Sequence, residues 1–370
     1  MINRGSLFFL ILIGLAISSW SPARAATKDA NAEVAWTDVK TLELEGRGWS
    51  DTESYFDRLP AKAKGKVRPP IWSLGHDAAG MLVRFVTDAT SIQARWSLTS
   101  SNLAMPHMAA TGVSGLDLYV RTSATKWHWL AVGFPKGISN SVELVKDAPP
   151  GKHEFMLYLP LYNGIKNLEI GVPAGASLTK AGTWGKGDRK PIVFYGTSIL
   201  QGGCASRPGM AHCAILGRRF NWPTINLGFS GNGRMEPEMA DLLAELDPAV
   251  YVLDCVPNMT TEQVAERVEP FVQRLRKSHP GTPIVLVEDQ TYGNAFFHPT
   301  VEKKQKESRT ALKRAFENLK KNGTRNIFYL PGGELLGDDG EATVDGSHPT
   351  DLGFVRQAEV TAKVLKPLLR

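Results

Sequence analysis

Four short stretches of this 370-residue chain carry side chains suited to acyl chemistry. In IVFYGTSILQGG, residues 192–203, an apolar run ends at Gly196 and presents Ser198. A serine hydroxyl is a weak nucleophile and needs a base within hydrogen-bond reach. Taken alone, Gly-Thr-Ser after a strand fits a turn and helix cap better than a catalyst. The stretch is not G-x-S-x-G, so it is not the nucleophile elbow of that motif. Far along the chain, Asp345-Gly-Ser-His348-Pro supplies a carboxylate and an imidazole three residues apart. One tight turn can put both on the same side, with the carboxylate on one ring nitrogen and the other nitrogen free to take a proton. The bland alternative is a turn aspartate and a histidine capping the next helix. Two further stretches could donate to an oxyanion: NLGFSGNG, residues 226–233, through the backbone of Gly231, and Asn258 through its amide.

These four positions need elements that bring them together. After Pro191, apolar runs at 192–195, 224–227, 250–254, 284–288 and 327–330 alternate with helical patterns at 210–220, 236–246, 261–278, 301–322 and 351–369. Such alternation predicts a doubly wound parallel sheet. Ligands in these sheets bind beyond the carboxyl ends of the strands. Ser198, Gly231, Asn258 and Asp289 each follow a predicted strand end, so they converge on one edge.

Residues 34–172 have a different grammar. Short apolar or alternating runs at 81–86, 91–96, 116–121, 127–132, 141–144, 153–158 and 168–172 are punctuated by Gly, Pro, Asn and Asp. That spacing predicts an all-β sandwich or jelly roll. Residues 173–190, rich in Gly, Ala and Lys, read as a linker. At the start, Arg4, an apolar run from Leu7 to Ile17, and Ala23-Arg-Ala25 follow the plan of a secretory signal. The run is short for a membrane span. The expected organisation is a signal peptide at 1–25, a β domain at 26–172, a linker at 173–190 and an α/β domain at 191–370. The mature protein is expected to be exported to the periplasm or cell exterior, with no integral membrane segment.

The order Ser198, Gly231, Asn258, then Asp345 with His348 resembles the block signature of the SGNH (GDSL-like) hydrolases. Gly115-Leu-Asp-Leu-Tyr119 resembles the GxDLY signature of a β domain that precedes a subset of them. The resemblance implies a flavodoxin-like three-layer α/β/α catalytic domain. It implies Ser198 as nucleophile, His348 as base, Asp345 as orienter, and an oxyanion hole of Ser198, Gly231 and Asn258, with no metal or cofactor. Two departures stand out: Thr197 replaces the usual aspartate before the nucleophile, and Val-Pro-Asn258-Met replaces Gly-x-Asn-Asp, which leaves the support of Asn258 unexplained.

Other residues are candidate substrate contacts: His107 in Met-Pro-His-Met, and Glu288, Asp289, Tyr292 and Asn294 after the fourth strand. Glu236 and Glu238 fit a helix first turn, and Asp254 fits a supporting role. Trp127 and Trp129 could stack on sugar or simply pack. Cys204 and Cys213 could form a disulfide, leaving an odd thiol. Three cysteines without supporting histidine spacing make a poor zinc site. The formal charge of +6 loses two arginines with residues 1–25, and the remaining basic residues are scattered, which argues against a nucleic-acid partner. The expected substrate is a small acyl ester or an O-acetylated carbohydrate. An acyltransferase or lipase/thioesterase on the same triad, and a glycan-binding protein with a vestigial triad, remain open, as does the oligomeric state.

Overall fold

The structure is a computed structural model that describes residues 33–185, 187 and 189–369. The expected signal peptide at 1–25 lies outside the described residues. Ten strands come first: β1 (Val34–Asp38), β2 (Leu44–Glu45), β3 (Leu82–Thr87), β4 (Ile92–Leu98), β5 (Leu116–Ser123), β6 (Lys126–Gly133), β7 (Ser139–Val145), β8 (His153–Tyr158), β9 (Ile165–Pro173) and β10 (Leu178–Lys180). They form two antiparallel sheets, ordered β1-β9-β4-β7 and β10-β3-β8-β5-β6, with β2 paired to β3. Alternation decides the facing sides. Ala94, Trp96, Leu168 and Ile170 of one sheet share a buried cluster with Val83, Phe85, Leu118, Phe155 and Leu157 of the other. The region is the expected β-sandwich.

Five parallel strands follow: β11 (Ile192–Gly196), β12 (Thr224–Gly228), β13 (Val250–Asp254), β14 (Ile284–Val287) and β15 (Ile327–Leu330), in the order β12-β11-β13-β14-β15. Every strand is wholly or mainly buried, because helices cover both faces. Val193, Tyr195, Leu227, Tyr251, Leu253 and Leu286 point to one side, toward helices of residues 237–243, 261–278 and 299–321. Ile192, Phe194, Val250, Val252 and Val285 point to the other, toward the helices of 212–220 and 351–365. This is the expected three-layer α/β/α arrangement.

Two features depart from the sequence reading. The stretch at 173–190 is more than a connector, since β10 pairs with Thr87 to Phe85 at the sheet edge. Residues 46–76 also leave the sandwich: Trp49, Leu59, Ala63, Val67 and Ile71 pack into the apolar cluster on one face of the parallel sheet. Arg58 goes deepest. It is 1% exposed and donates to the carbonyls of Leu74, Asp77, Asn226 and Gly228.

The GxDLY stretch is a docking point. Asp117 is fully buried and accepts from Arg207 Nη1 at 2.9 Å, Gly209 N at 2.8 Å and Trp129 Nε1 at 3.0 Å. Arg207 also donates to the Tyr119 hydroxyl, and the Arg218 guanidinium stacks 4.0 Å from the centre of the Tyr119 ring. The sandwich therefore grips the segment that follows the short Ser198 helix.

Candidate active site

The chain order explains where the site forms. β11 lies inside the sheet, with β12 on one side and β13 on the other, so the chain crosses over and leaves a crevice at their carboxyl ends. The ends come very close: a Cβ on Gly233 would lie 2.0 Å from Gly196 O, and one on Gly228 would lie 2.2 Å from Gln201 N. Only glycine fits at either position.

Thr197, not Ser198, is the helix cap. It is fully buried, and its side chain accepts from Ile199 N at 3.3 Å to start the short helix Ser198–Gln201. A neutral hydroxyl does this without burying a charge, as an aspartate there would. Ser198 is thereby free. Its Oγ lies 2.8 Å from His348 Nε2, and His348 Nδ1 lies 2.7 Å from Asp345 Oδ2. Asp345 Oδ1 accepts from the backbone N–H of Ser347 at 3.0 Å and of His348 at 2.8 Å. Burial acts to raise the Asp345 carboxyl, but these bonds from His348 and Ser347 together hold it below the usual carboxylate range. The ionised carboxylate keeps the ring proton on Nδ1 and leaves Nε2 to accept from the serine. This arrangement can draw the hydroxyl proton to Nε2 and stabilise the resulting imidazolium.

The candidate oxyanion donors lie on the adjoining loops. Gly231 has φ +70°, is exposed, and a Cβ there would meet nothing within 4 Å. Asn258 Oδ1 accepts from Gly233 N at 3.3 Å. A backbone N–H requires the oxygen on that side, so the Asn258 amide N–H groups point elsewhere. The Gly233 N–H, shared with Phe229 O at 3.1 Å, contributes to holding Asn258 where the Gly-x-Asn-Asp aspartate is missing. Two arginines from the N-terminal segment secure the Gly231 loop: Arg58, and Arg68, which donates to Asn232 Oδ1 and O and to Glu236.

The other anticipated contacts divide. His107 is exposed and its ring centre is 5.7 Å from that of His348, so the sandwich does bring it to the triad. Glu288 is turned inward: its carboxylate accepts from the Tyr329 hydroxyl and Gly332 N and lies 4.0 Å from Arg309. Asp289 is also buried, with Oδ2 accepting from Gln305. Glu288 is held through both oxygens and Asp289 through Oδ2, while the buried Asp289 Oδ1 has no hydrogen-bond partner among the described residues. Tyr292 bonds to Ser347, and the Asn294 amide lies against Gly346, so both brace the Asp345–His348 turn. Glu236 is held by Arg68 and Tyr195. Trp129 is tied to Asp117. Burial, reinforced by the negative Asp289, pushes Asp254 up to about 7.

Some site residues were not anticipated. Gln201, fully buried one helical turn after the serine, accepts from Ser230 N and donates to Asp77 and Leu161 O. Tyr162 donates to Ser198 O at 3.2 Å. A Cβ on Gly203 would lie 3.2 Å from His348 Cδ2, which places that backbone directly against the ring. The sequence signal for Gln201 was its position in SILQGG; Tyr162 had none. All three cysteines are buried free thiols, so the Cys204–Cys213 disulfide does not form.

Residues 189–366 match the GDSL-like Lipase/Acylhydrolase family, and residues 34–178 match the N-terminus of the SGNH-hydrolase-type esterases. A solved structure described as a GDSL-like lipase from Bacteroides ovatus is 35% identical, with TM-score 0.86, covering 91% of this chain and 98% of its own. This chain belongs to the GDSL-like lipase/acylhydrolase family. As an SGNH-type hydrolase it shares its fold with more distant structures. The salicylyl-acyltransferase SsfX3 of a tetracycline biosynthetic pathway is 20% identical, with TM-score 0.75, covering 92% of this chain and all of its own. An acetyl xylan esterase from Butyrivibrio proteoclasticus is 12% identical, with TM-score 0.56, covering 90% and 98%. No match was found among curated proteins. Among the described residues, no helix is long and apolar enough to cross a membrane.

Proposed function

We propose that this SGNH-type hydrolase is an exported serine esterase that removes a small acyl group, acetyl in the first instance, from a carbohydrate. The observation that carries the reading is the unbroken line Ser198 Oγ, His348 Nε2, His348 Nδ1, Asp345 Oδ2, at 2.8 and 2.7 Å. Ser198 Oγ attacks the ester carbonyl as its proton passes to Nε2. The tetrahedral oxyanion takes hydrogen bonds from the Ser198 and Gly231 N–H groups and the Asn258 amide. The imidazolium gives its proton to the leaving alcohol, and the acyl-serine remains. Water then attacks with His348 again as base, releasing the acid and restoring the serine hydroxyl.

The carbohydrate assignment draws on fold-level likeness to an acetyl xylan esterase and on the family's esterase N-terminus. Export draws on Arg4, the apolar run and Ala23-Arg-Ala25. The test is acetate release across a panel of acetylated polysaccharides, with Ser198→Ala and His348→Ala as controls. Release that both variants abolish supports the reading; release that survives Ser198→Ala rejects the mechanism.

A second reading is transfer of the acyl group to an alcohol instead of water, and likeness in fold to SsfX3 favours testing it. Added alcohols that divert the acyl group into new esters, at the expense of free acid, would support transfer.

A further inference from the structure

Beside the base of the triad lie two side chains, His107 and Cys204, that acyl chemistry does not require. One nitrogen of His107, the Cys204 sulfur and one nitrogen of His348 lie within 4.8 Å of one another. They come from three distant parts of the chain: the loop before the GxDLY strand, the segment after the short helix Ser198–Gln201, and the turn before the last helix. His348 Nδ1 is occupied by Asp345, so the nitrogen assigned to the group is Nε2, which also meets Ser198 Oγ at 2.8 Å. The backbone at Gly203, next to Cys204, runs against the Cδ2 edge of that ring, adjacent to Nε2. Cys204 itself holds φ +74°, a conformation that non-glycine residues seldom adopt.

We propose that His107, Cys204 and His348 Nε2 form an inhibitory site for a borderline-soft divalent cation, zinc above all. Two imidazoles and a thiolate are a zinc-type donor set, and magnesium and calcium prefer oxygen ligands. Tetrahedral zinc holds such ligand atoms about 3.3–3.6 Å apart. The group must therefore tighten by about an ångström. His107, on an exposed turn closed by mutual Met105–Met108 backbone bonds, is the member free to move. Asp345 on His348 Nδ1 completes a carboxylate–histidine–metal arrangement. On binding, the Cys204 thiol releases its proton to buffer and the sulfur bonds the metal. The Nε2 lone pair that accepted from Ser198 also goes to the metal, and the serine loses its base. The fourth position falls to water or to Ser198 Oγ.

Binding is independent of the esterase reading, but inhibition rests on it, so the test measures them separately. Full-length protein is titrated with ZnCl2 by calorimetry and with CoCl2 by absorption. The expected result is one site per chain and a thiolate-to-cobalt charge-transfer band in the near ultraviolet. Cys204→Ser is expected to fold, to keep ester hydrolysis, to lose the band and to weaken zinc binding by about tenfold or more. His107→Ala is expected to weaken zinc binding similarly, which keeps the proposal testable if the cysteine variant misfolds. Zinc should inhibit ester hydrolysis reversibly, with recovery on chelation, while magnesium and calcium should not. The proposal is overturned if cobalt gives no thiolate band, if both variants bind zinc as wild type does, or if bound zinc leaves an active enzyme unaffected.

Discussion

Replacing Asp345 by asparagine changes one atom, and the structure dictates where that atom goes. Oδ1 accepts from two backbone N–H groups, those of Ser347 and His348. Those donors require an oxygen, so the amide oxygen must take that place. The new NH2 group then occupies the Oδ2 position, 2.7 Å from His348 Nδ1. A donor there cannot face a protonated Nδ1, so the ring must move its proton to Nε2. Nε2 then donates toward Ser198 Oγ and can no longer accept from it. The variant keeps its fold and both backbone bonds but has its imidazole in the wrong tautomer. The expected loss is about ten-thousand-fold in kcat, about 5.4 kcal/mol of barrier, with KM little changed. Steady-state hydrolysis of a chromogenic acetate ester measures the loss, and nitrogen-15 spectra of labelled histidine report the tautomer. Activity within tenfold of wild type, or a ring still protonated at Nδ1, would refute the reasoning.

Four further outcomes follow from the same contacts. Asn258→Ala removes a proposed oxyanion donor and should lower kcat by about a hundred- to a thousand-fold, read in the same assay. Gly203→Ala sets a methyl 3.2 Å from His348 Cδ2 and 3.0 Å from the Tyr162 hydroxyl, so the ring must shift by tenths of an ångström. Its kcat should fall about tenfold while the melting temperature changes little. Arg58→Leu strands two buried and two part-buried carbonyls and should cost about 3 kcal/mol in urea unfolding. Burial raises Asp254 to about 7, so the folded chain keeps a proton that the unfolded chain gives up near pH 4. That stabilisation is complete below about pH 4 and is lost as pH rises through about 7, and Asp254→Asn should flatten this part of the Tm-against-pH curve.

The parallel sheet was readable because buried parallel strands are unbroken apolar runs, as in IVFYG and VYVLD. The Asp345–His348 pairing was readable because one turn holds both residues. What escaped depended on contacts distant in sequence. Nothing periodic marks residues 46–76 as part of the parallel-sheet core, since single residues such as Trp49, Leu59 and Ile71 make the contact. Glu288 and Asp289 sit at a strand end, where acids often meet ligands, but Tyr329, Gly332 and Gln305 claim them from inside. Part of the support for Asn258 comes from a backbone N–H, which no side-chain pattern records. In sequence the nearest partner for Cys204 is Cys213, but its neighbours in space are two histidines far away in the chain.

The central claim is that Ser198 is a nucleophile activated by His348. Labelling of the folded protein with a fluorophosphonate, followed by peptide mass spectrometry, tests it most directly. A single adduct on Ser198 is expected, absent from heat-denatured protein and strongly reduced in His348→Ala. An unlabelled folded protein, or an adduct on a different residue, would contradict it.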